Sequence, residues 1–176
     1  MPTPTRCLWP RVSYRSGSTN CGPPVSSPEL AAVRGTSVPV AVRYDDLGST
    51  GHVDNVASMR IIEEARHTFL GHPVTPHAPG GLLDLVPSHI QHLVRRQDIE
   101  YRDELWYQAE PFLVDVWVSA VGTTSFRLGS AIRTSADAEP AVTAEAVIVL
   151  VDLETGKPWP IPCEIGGQFT GSVIPQ

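Results

Sequence analysis

The sequence predicts an α+β protein, an antiparallel sheet of about five strands wrapped around one long helix. Three observations lead there. Residues 43–70, R-Y-D-D-L-G-S-T-G-H-V-D-N-V-A-S-M-R-I-I-E-E-A-R-H-T-F-L, pass from a strand end through a polar turn into a helical period. From Ser88 onward the apolar period changes to two and stays there. Short connections join those later strands, which makes sequence neighbours antiparallel.

In chain order, Ser37 to Arg43 reads as the first strand, with Val38, Val40 and Val42 on one face. Pro39 suits the first residues of a strand or an edge, because it cannot donate to a ladder. Gly48 and Gly51 then permit turn conformations that other residues resist. Asp54 or Asn55 can cap the helix that follows. At about 100° per residue, Ile62, Phe69, Ala65, Met59 and Leu70 share a broad apolar arc, with Val56 and Ile61 at its edges. An arc this wide predicts a helix covered on several sides. Asn55, Ser58 and Arg66 project into the same arc, Glu63 lies at its border, and Glu64 and Arg60 lie outside. Gly71, His72 and Pro73 stop the helix.

Residues 73–87 read as a loop with a short helix around Leu82 to Val86. His72, His77, His89 and His92 match no standard metal spacing, so no metal is expected. Ile90, His92, Val94, Ile99 and Tyr101 give one long strand, or two with a bulge. Phe112 to Ser119, Phe126 to Ala131 and Val142 to Leu150 alternate as three further strands. Gly122 and the 136–140 segment mark turns between them.

The chain has 176 residues, 41% hydrophobic, enough for one domain with an adequate core. A net charge of −6 argues against nucleic-acid binding, which leaves a basic footprint. No apolar run approaches the ~18 residues of a membrane span, so no membrane span or membrane partner is expected. Cys7, Cys21 and Cys163 form no metal-ligand spacing and read as reduced thiols of a cytoplasmic protein. Residues 1–36 are rich in Pro and Ser and carry four arginines against one acid, Glu29. They read as a disordered extension, either an over-extended translation start or a basic docking tail. The predicted domain therefore covers residues 37–162, with 163–176 as a loose tail.

The turn and helix resemble the signature of the hotdog-fold thioesterases of the 4-hydroxybenzoyl-CoA thioesterase type. That pattern runs roughly D-x-D-x-x-G-H-V-N-N, then a helix ending E-E-A-R. Asp46, Gly51, His52, Val53, Asn55, Glu63, Glu64, Ala65 and Arg66 match it, and the likeness extends over residues 38–162. The resemblance implies the hotdog architecture and a site between two protomers of a homodimer or homotetramer. It implies an acyl-CoA or acyl-carrier-protein thioester as substrate and no cofactor. Three positions depart from the pattern. The family's second Asp, its usual nucleophile or base, falls on Gly48; its helix tyrosine falls on Ser58; its first Asn falls on Asp54. A glycine neither attacks a thioester nor activates water.

The reactive carbonyl is expected at the turn, where free N–H groups and the helix dipole meet a polarised oxygen. His52 reads as the base, oriented by Asp46, with Asn55 as positioning group and Glu63 as a more distant carboxylate. An equal reading of His52 is a turn histidine bonded to backbone. Gly51, Val53, Ser58 and Arg66 are expected to meet substrate, and Arg66 reads equally as an i,i+3 partner of Glu63. Arg95, Arg96, Arg102, Arg127 and Arg133 are candidates for CoA phosphates, or solvated strand faces. Three functions remain open: thioester hydrolysis with a modified residue set, hydration or Michael-type addition at an enoyl thioester, and binding of acyl thioesters without catalysis.

Overall fold

A computed structural model describes residues 35–71 and 80–171. Six strands form one antiparallel sheet: β1 (Thr36–Val40), β2 (Ile90–Tyr101), β3 (Phe112–Val121), β4 (Ser125–Arg133), β5 (Val142–Asp152) and the two-residue β6 (Lys157–Pro158). Their order is β1-β3-β4-β5-β2, with β6 added to β5. β6 pairs with Val151 and Asp152, past the point where β4 begins at Ser125 opposite Val149. β1 and β2 are the edges, which explains how Pro39 is tolerated opposite Leu113.

β2 is a single strand whose register against β5 shifts between Val94 and Arg96, so the bulged alternative describes it. β1 ends at Val40, three residues short of the expected Arg43. The chain turns there because the Arg43 amide donates to Asp46 Oδ2 at 2.7 Å, and Tyr44–Asp46 close a short 3-10 turn. Leu82–Leu85 form the short helix expected near that point, as a single 3-10 segment. The expected extension over residues 1–36 lies outside the described residues up to 34, and His72 and His77 also lie outside them.

Helix α1 spans Asn55–Leu70, with Asp54 as its cap and Gly71 closing it at φ 76°. Ile61, Ile62, Ala65, Phe69 and Leu70 are buried against the sheet. Each large side chain so removed from water stabilises the fold by about 1.5–3 kcal/mol. The helix packs over β1, β3 and β4. Coverage on several sides is not what this chain shows: Val56 is 73% and Met59 44% exposed. Those two residues sit on the flank that faces away from the strands, so the sheet cannot reach them. Asn55 likewise stands exposed at the helix start, while Ser58 and Arg66 are buried as their arc positions required.

The loose tail expected over residues 163–176 is also corrected over 163–171, while 172–176 lie outside the described residues. Helix α2 spans Cys163–Gly171. Phe169 is 2% exposed and meets Phe126 edge-on at 5.1 Å, and a side chain added at Gly166 would touch Val121. Gly166 and Gly167 lower the local helix propensity, which hid this element from a pattern reading. Burial of Phe169 supplies what propensity withholds, so the folded unit continues past 162.

Candidate functional site

The turn between β1 and α1 is fastened on two sides. Leu47 pairs with Val53, the Gly48 amide donates to the His52 carbonyl at 2.8 Å, and the Gly51 amide donates to the Gly48 carbonyl at 3.0 Å. Gly51 has φ 89°, a left-handed value that a side chain would strain. On the other side, His52 pairs with Trp106, and the Val53 amide donates to the Leu105 carbonyl at 2.7 Å. Val53 and Leu105 are both buried and anchor this short ribbon.

A cleft of about 410 Å³ opens where the ribbon meets the start of α1. His52, Val53, Asn55 and Ser58 line one wall; Tyr101, Arg102, Asp103, Glu104, Leu105 and Val142 line the other. The Tyr101 hydroxyl donates to the Asn55 carbonyl at 3.2 Å, tying the walls together. Ser58 is buried and donates its hydroxyl to the Asp54 carbonyl at 3.2 Å. Arg102 is occupied by Glu100 at 3.0 Å.

The His52 ring has two distinct nitrogens. Nδ1 lies 2.5 Å from Thr50 Oγ1, and the ring meets Trp106 edge-on at 6.1 Å. Nε2 faces the bare backbone of Gly48: a Cβ built on that glycine would lie 3.9 Å from it. The position that lacks a carboxylate therefore borders the imidazole directly.

Asp46 does not orient His52. Its two oxygens are taken by Arg60, Nε to Oδ1 at 2.9 Å and Nη2 to Oδ2 at 2.5 Å, and Oδ2 also accepts the Arg43 amide. Burial pushes this carboxyl up, but the Arg60 hydrogen bonds, the Arg43 amide and the Arg60 charge outweigh it and hold it below its ordinary range. Such a group is an anchor rather than a base. Thr50 occupies the place beside Nδ1 that Asp46 was expected to fill.

Glu63 and Arg66 also stand apart from the cleft. The Glu63 side chain is 55% exposed and meets Arg66 at 3.4 Å. Arg66 is buried, donates to Gln97 Oε1 at 3.0 Å, and is pushed down by burial, with Glu63 opposing the shift. The i,i+3 pair is thus the geometry observed for Arg66. Arg127 pairs with Glu145 and Arg133 with Asp115 across the sheet, so these two brace strands.

The helix start offers fewer free amides than its sequence suggests. Asp54 Oδ1 accepts Val56 N–H at 2.7 Å and Ala57 N–H at 3.3 Å. Among the described residues, the Asn55 N–H is left without an acceptor, at the mouth of the cleft and on the positive end of the helix dipole. Among the described residues no three His, Cys, Asp or Glu side chains converge as metal ligands, and no helix is long and apolar enough to cross a membrane.

Sequence reasoning missed Tyr101, Asp103, Glu104 and Leu105. The R-D-E-L-W-Y segment carries acids directly after a strand, but only its pairing with the turn around His52 brings it to the helix tip.

Residues 42–169 match the model of the thioesterase-like superfamily. No curated protein matches this sequence. Among solved structures, the probable thioesterase YbaW of Escherichia coli is similar at 20% identity, with 78% of this chain and 98% of that one covered and a TM-score of 0.62. A Thermus thermophilus thioesterase complexed with coenzyme A and Zn is 27% identical, with 76% and 95% covered and a TM-score of 0.56. A thioesterase-superfamily protein of Jannaschia is also 27% identical, with 77% and 79% covered and a TM-score of 0.57. The curled antiparallel sheet is the one these thioesterases share.

Proposed function

The chain belongs to the thioesterase-like superfamily, and from that premise we propose that it hydrolyses an acyl-CoA or acyl-carrier-protein thioester in the cleft at the start of α1. The observation that carries this reading is the position of His52, its Nε2 beside the side-chain-less Gly48 and its residue in the cleft that Asn55 at the helix start also lines. The thioester oxygen accepts from the Asn55 N–H, where the helix dipole favours developing negative charge. His52 Nε2 takes a proton from water as the water oxygen attacks the carbonyl carbon. The C–S bond then breaks, and the imidazolium returns its proton to the departing thiolate, giving the acid and the thiol. Nδ1–H donates to Thr50 in this tautomer, which fixes the ring. The Asn55 side chain positions substrate, and Ser58 shapes the wall. The coenzyme A bound to the Thermus thioesterase supports a CoA thioester as the substrate class.

The fold of a hotdog protein from two copies belongs to the same proposal. β2 is an edge strand, and Leu93 and Val94 on it are each 42% exposed. A second copy along that edge would cover them and give a homodimer, itself able to pair into a tetramer.

Release of free thiol from a panel of acyl-CoAs tests the reading. His52→Ala is expected to lose hydrolysis by about 10²–10⁴-fold, the usual share of a general base. Glu64→Ala, on the far side of Arg60, is expected to keep it. A wild-type protein that releases no thiol from any acyl-CoA or acyl-carrier thioester refutes hydrolysis. The bare Gly48 favours a second reading in that case. Consumption of an enoyl thioester without thiol release would identify hydration or Michael-type addition, and binding alone would identify an acyl-thioester binder.

A further inference from the structure

We propose that Glu104 is the carboxylate of this site, holding the attacking water against His52 in place of the side chain that Gly48 lacks. The placement follows from the ribbon. His52 lies opposite Trp106, and Val53 bonds to Leu105, so the next pair in register is Asp54 with Glu104. Side chains alternate along such a ribbon. Val53 and Leu105 are buried on one face, which puts His52 and Glu104 together on the other, as diagonal neighbours. Diagonal Cβ atoms in an antiparallel pair are about 7 Å apart. That span suits one water between an imidazole and a glutamate. Both residues line the cleft.

The other carboxylates nearby are engaged. Asp46 is bound to Arg60, Asp54 caps α1, Glu63 pairs with Arg66, and Glu100 pairs with Arg102. Asp103 accepts the Glu104 amide at 2.8 Å. Among the described residues, the Glu104 carboxylate has no hydrogen-bond or ion partner. It is an exposed acceptor at the cleft, with no protein group among those residues to accept from.

The inference rests on the hydrolytic reading. One hydrogen of the water goes to His52 Nε2, and Glu104 accepts a hydrogen bond from the other. The water oxygen then presents a lone pair to the carbonyl carbon. As the C–O bond forms and the C–S bond breaks, His52 returns its proton to the departing thiolate. Glu104 stabilises the transient imidazolium and stays ionised, so the products are the acid and the thiol.

The experiment measures steady-state hydrolysis of whichever acyl-CoA the wild type cleaves best, in full-length E104Q, E104D and E110Q, with thermal midpoints recorded for each. E104Q is expected to lose kcat by about 100-fold, with KM within about threefold and an unchanged midpoint. E104D is expected to recover part of kcat, since a shorter carboxylate still reaches through the water. E110Q, in the same connection but away from the cleft, is expected to match wild type. Wild-type kcat in E104Q overturns the assignment and leaves hydrolysis by His52 standing. Equal losses in E104Q and E104D with a raised KM also overturn it, because they report a binding role. Absence of any hydrolysis by wild type overturns the hydrolytic reading and this inference together.

Discussion

Asp46 and Arg60, fourteen positions apart, are locked by two hydrogen bonds of 2.9 and 2.5 Å, with the carboxylate 7% exposed and the guanidinium 29%. The pair binds the turn before the site to the second turn of α1. Arg60 also meets Glu64 at 2.6 Å, so the guanidinium bridges two carboxylates. Asp46, expected to orient His52, is therefore what holds the turn before α1 in place.

Asp46→Ala is expected to lower stability by about 2 kcal/mol, in the range for hydrogen bonds to charged groups. The loss should appear as a lower midpoint in urea at pH 7.

The same pair gives a pH dependence whose sign is fixed. Asp46 is held below its ordinary value of 3.8 in the fold. Its contribution is present above that value and disappears as pH falls through the depressed one. Denaturation of wild type and Asp46→Asn at pH 7 and at pH 2.5 should show a gap that narrows at acid pH. A gap that widens would contradict the pairing.

Gly48→Asp tests whether a carboxylate at this turn raises hydrolysis. A Cβ at this position meets the His52 carbonyl at 3.6 Å and Asp54 Cβ at 4.0 Å, ordinary contacts that need no movement. The variant is expected to fold with stability within about 1 kcal/mol of wild type. Its carboxylate would stand beside His52 Nε2, and hydrolysis is expected to rise about tenfold or more. Thiol-release rates on the same thioester panel give the comparison.

On the outer face of the sheet, Trp117 of β3 lies directly across from Gly129 of β4. A Cβ on that glycine would come within 2.2 Å of Trp117 Cε2 and 2.3 Å of Cζ2. Gly129→Ala is thus expected to cost about 1–3 kcal/mol, the usual range for overpacking. Adding Trp117→Leu should recover much of that loss in a chemical-denaturation series.

The last prediction concerns the folded unit's extent. Phe169 is 2% exposed and packs on Phe126, so Phe169→Ala is expected to cost about 3–5 kcal/mol. Truncation after residue 162 should be at least as damaging. Unchanged midpoints in both variants would restore the tail as a loose appendage.

The sequence by itself determined the sheet and the helix, because both announce themselves locally. A period of two runs through Phe112, Val114 and Val116 or Ala146, Ile148 and Leu150, and these residues are buried in the strands they predict. Asp54 and Gly71 bound α1 where capping chemistry places them. The motif around His52 located the mouth of the cleft, since a glycine turn entering a helix is a contiguous pattern. Tertiary structure alone decided what those side chains do. Asp46 became an anchor because Arg60 lies in the second turn beyond the cap, a distance that no spacing in the motif expresses. The opposite wall, with Tyr101 and Glu104, arrived through pairing between segments some fifty residues apart in the chain. α2 formed despite its glycines because Phe169 finds Phe126 across the core. Local periodicity fixes the elements, while long-range contacts choose each polar group's partner, and it is the partner that decides between structure and chemistry.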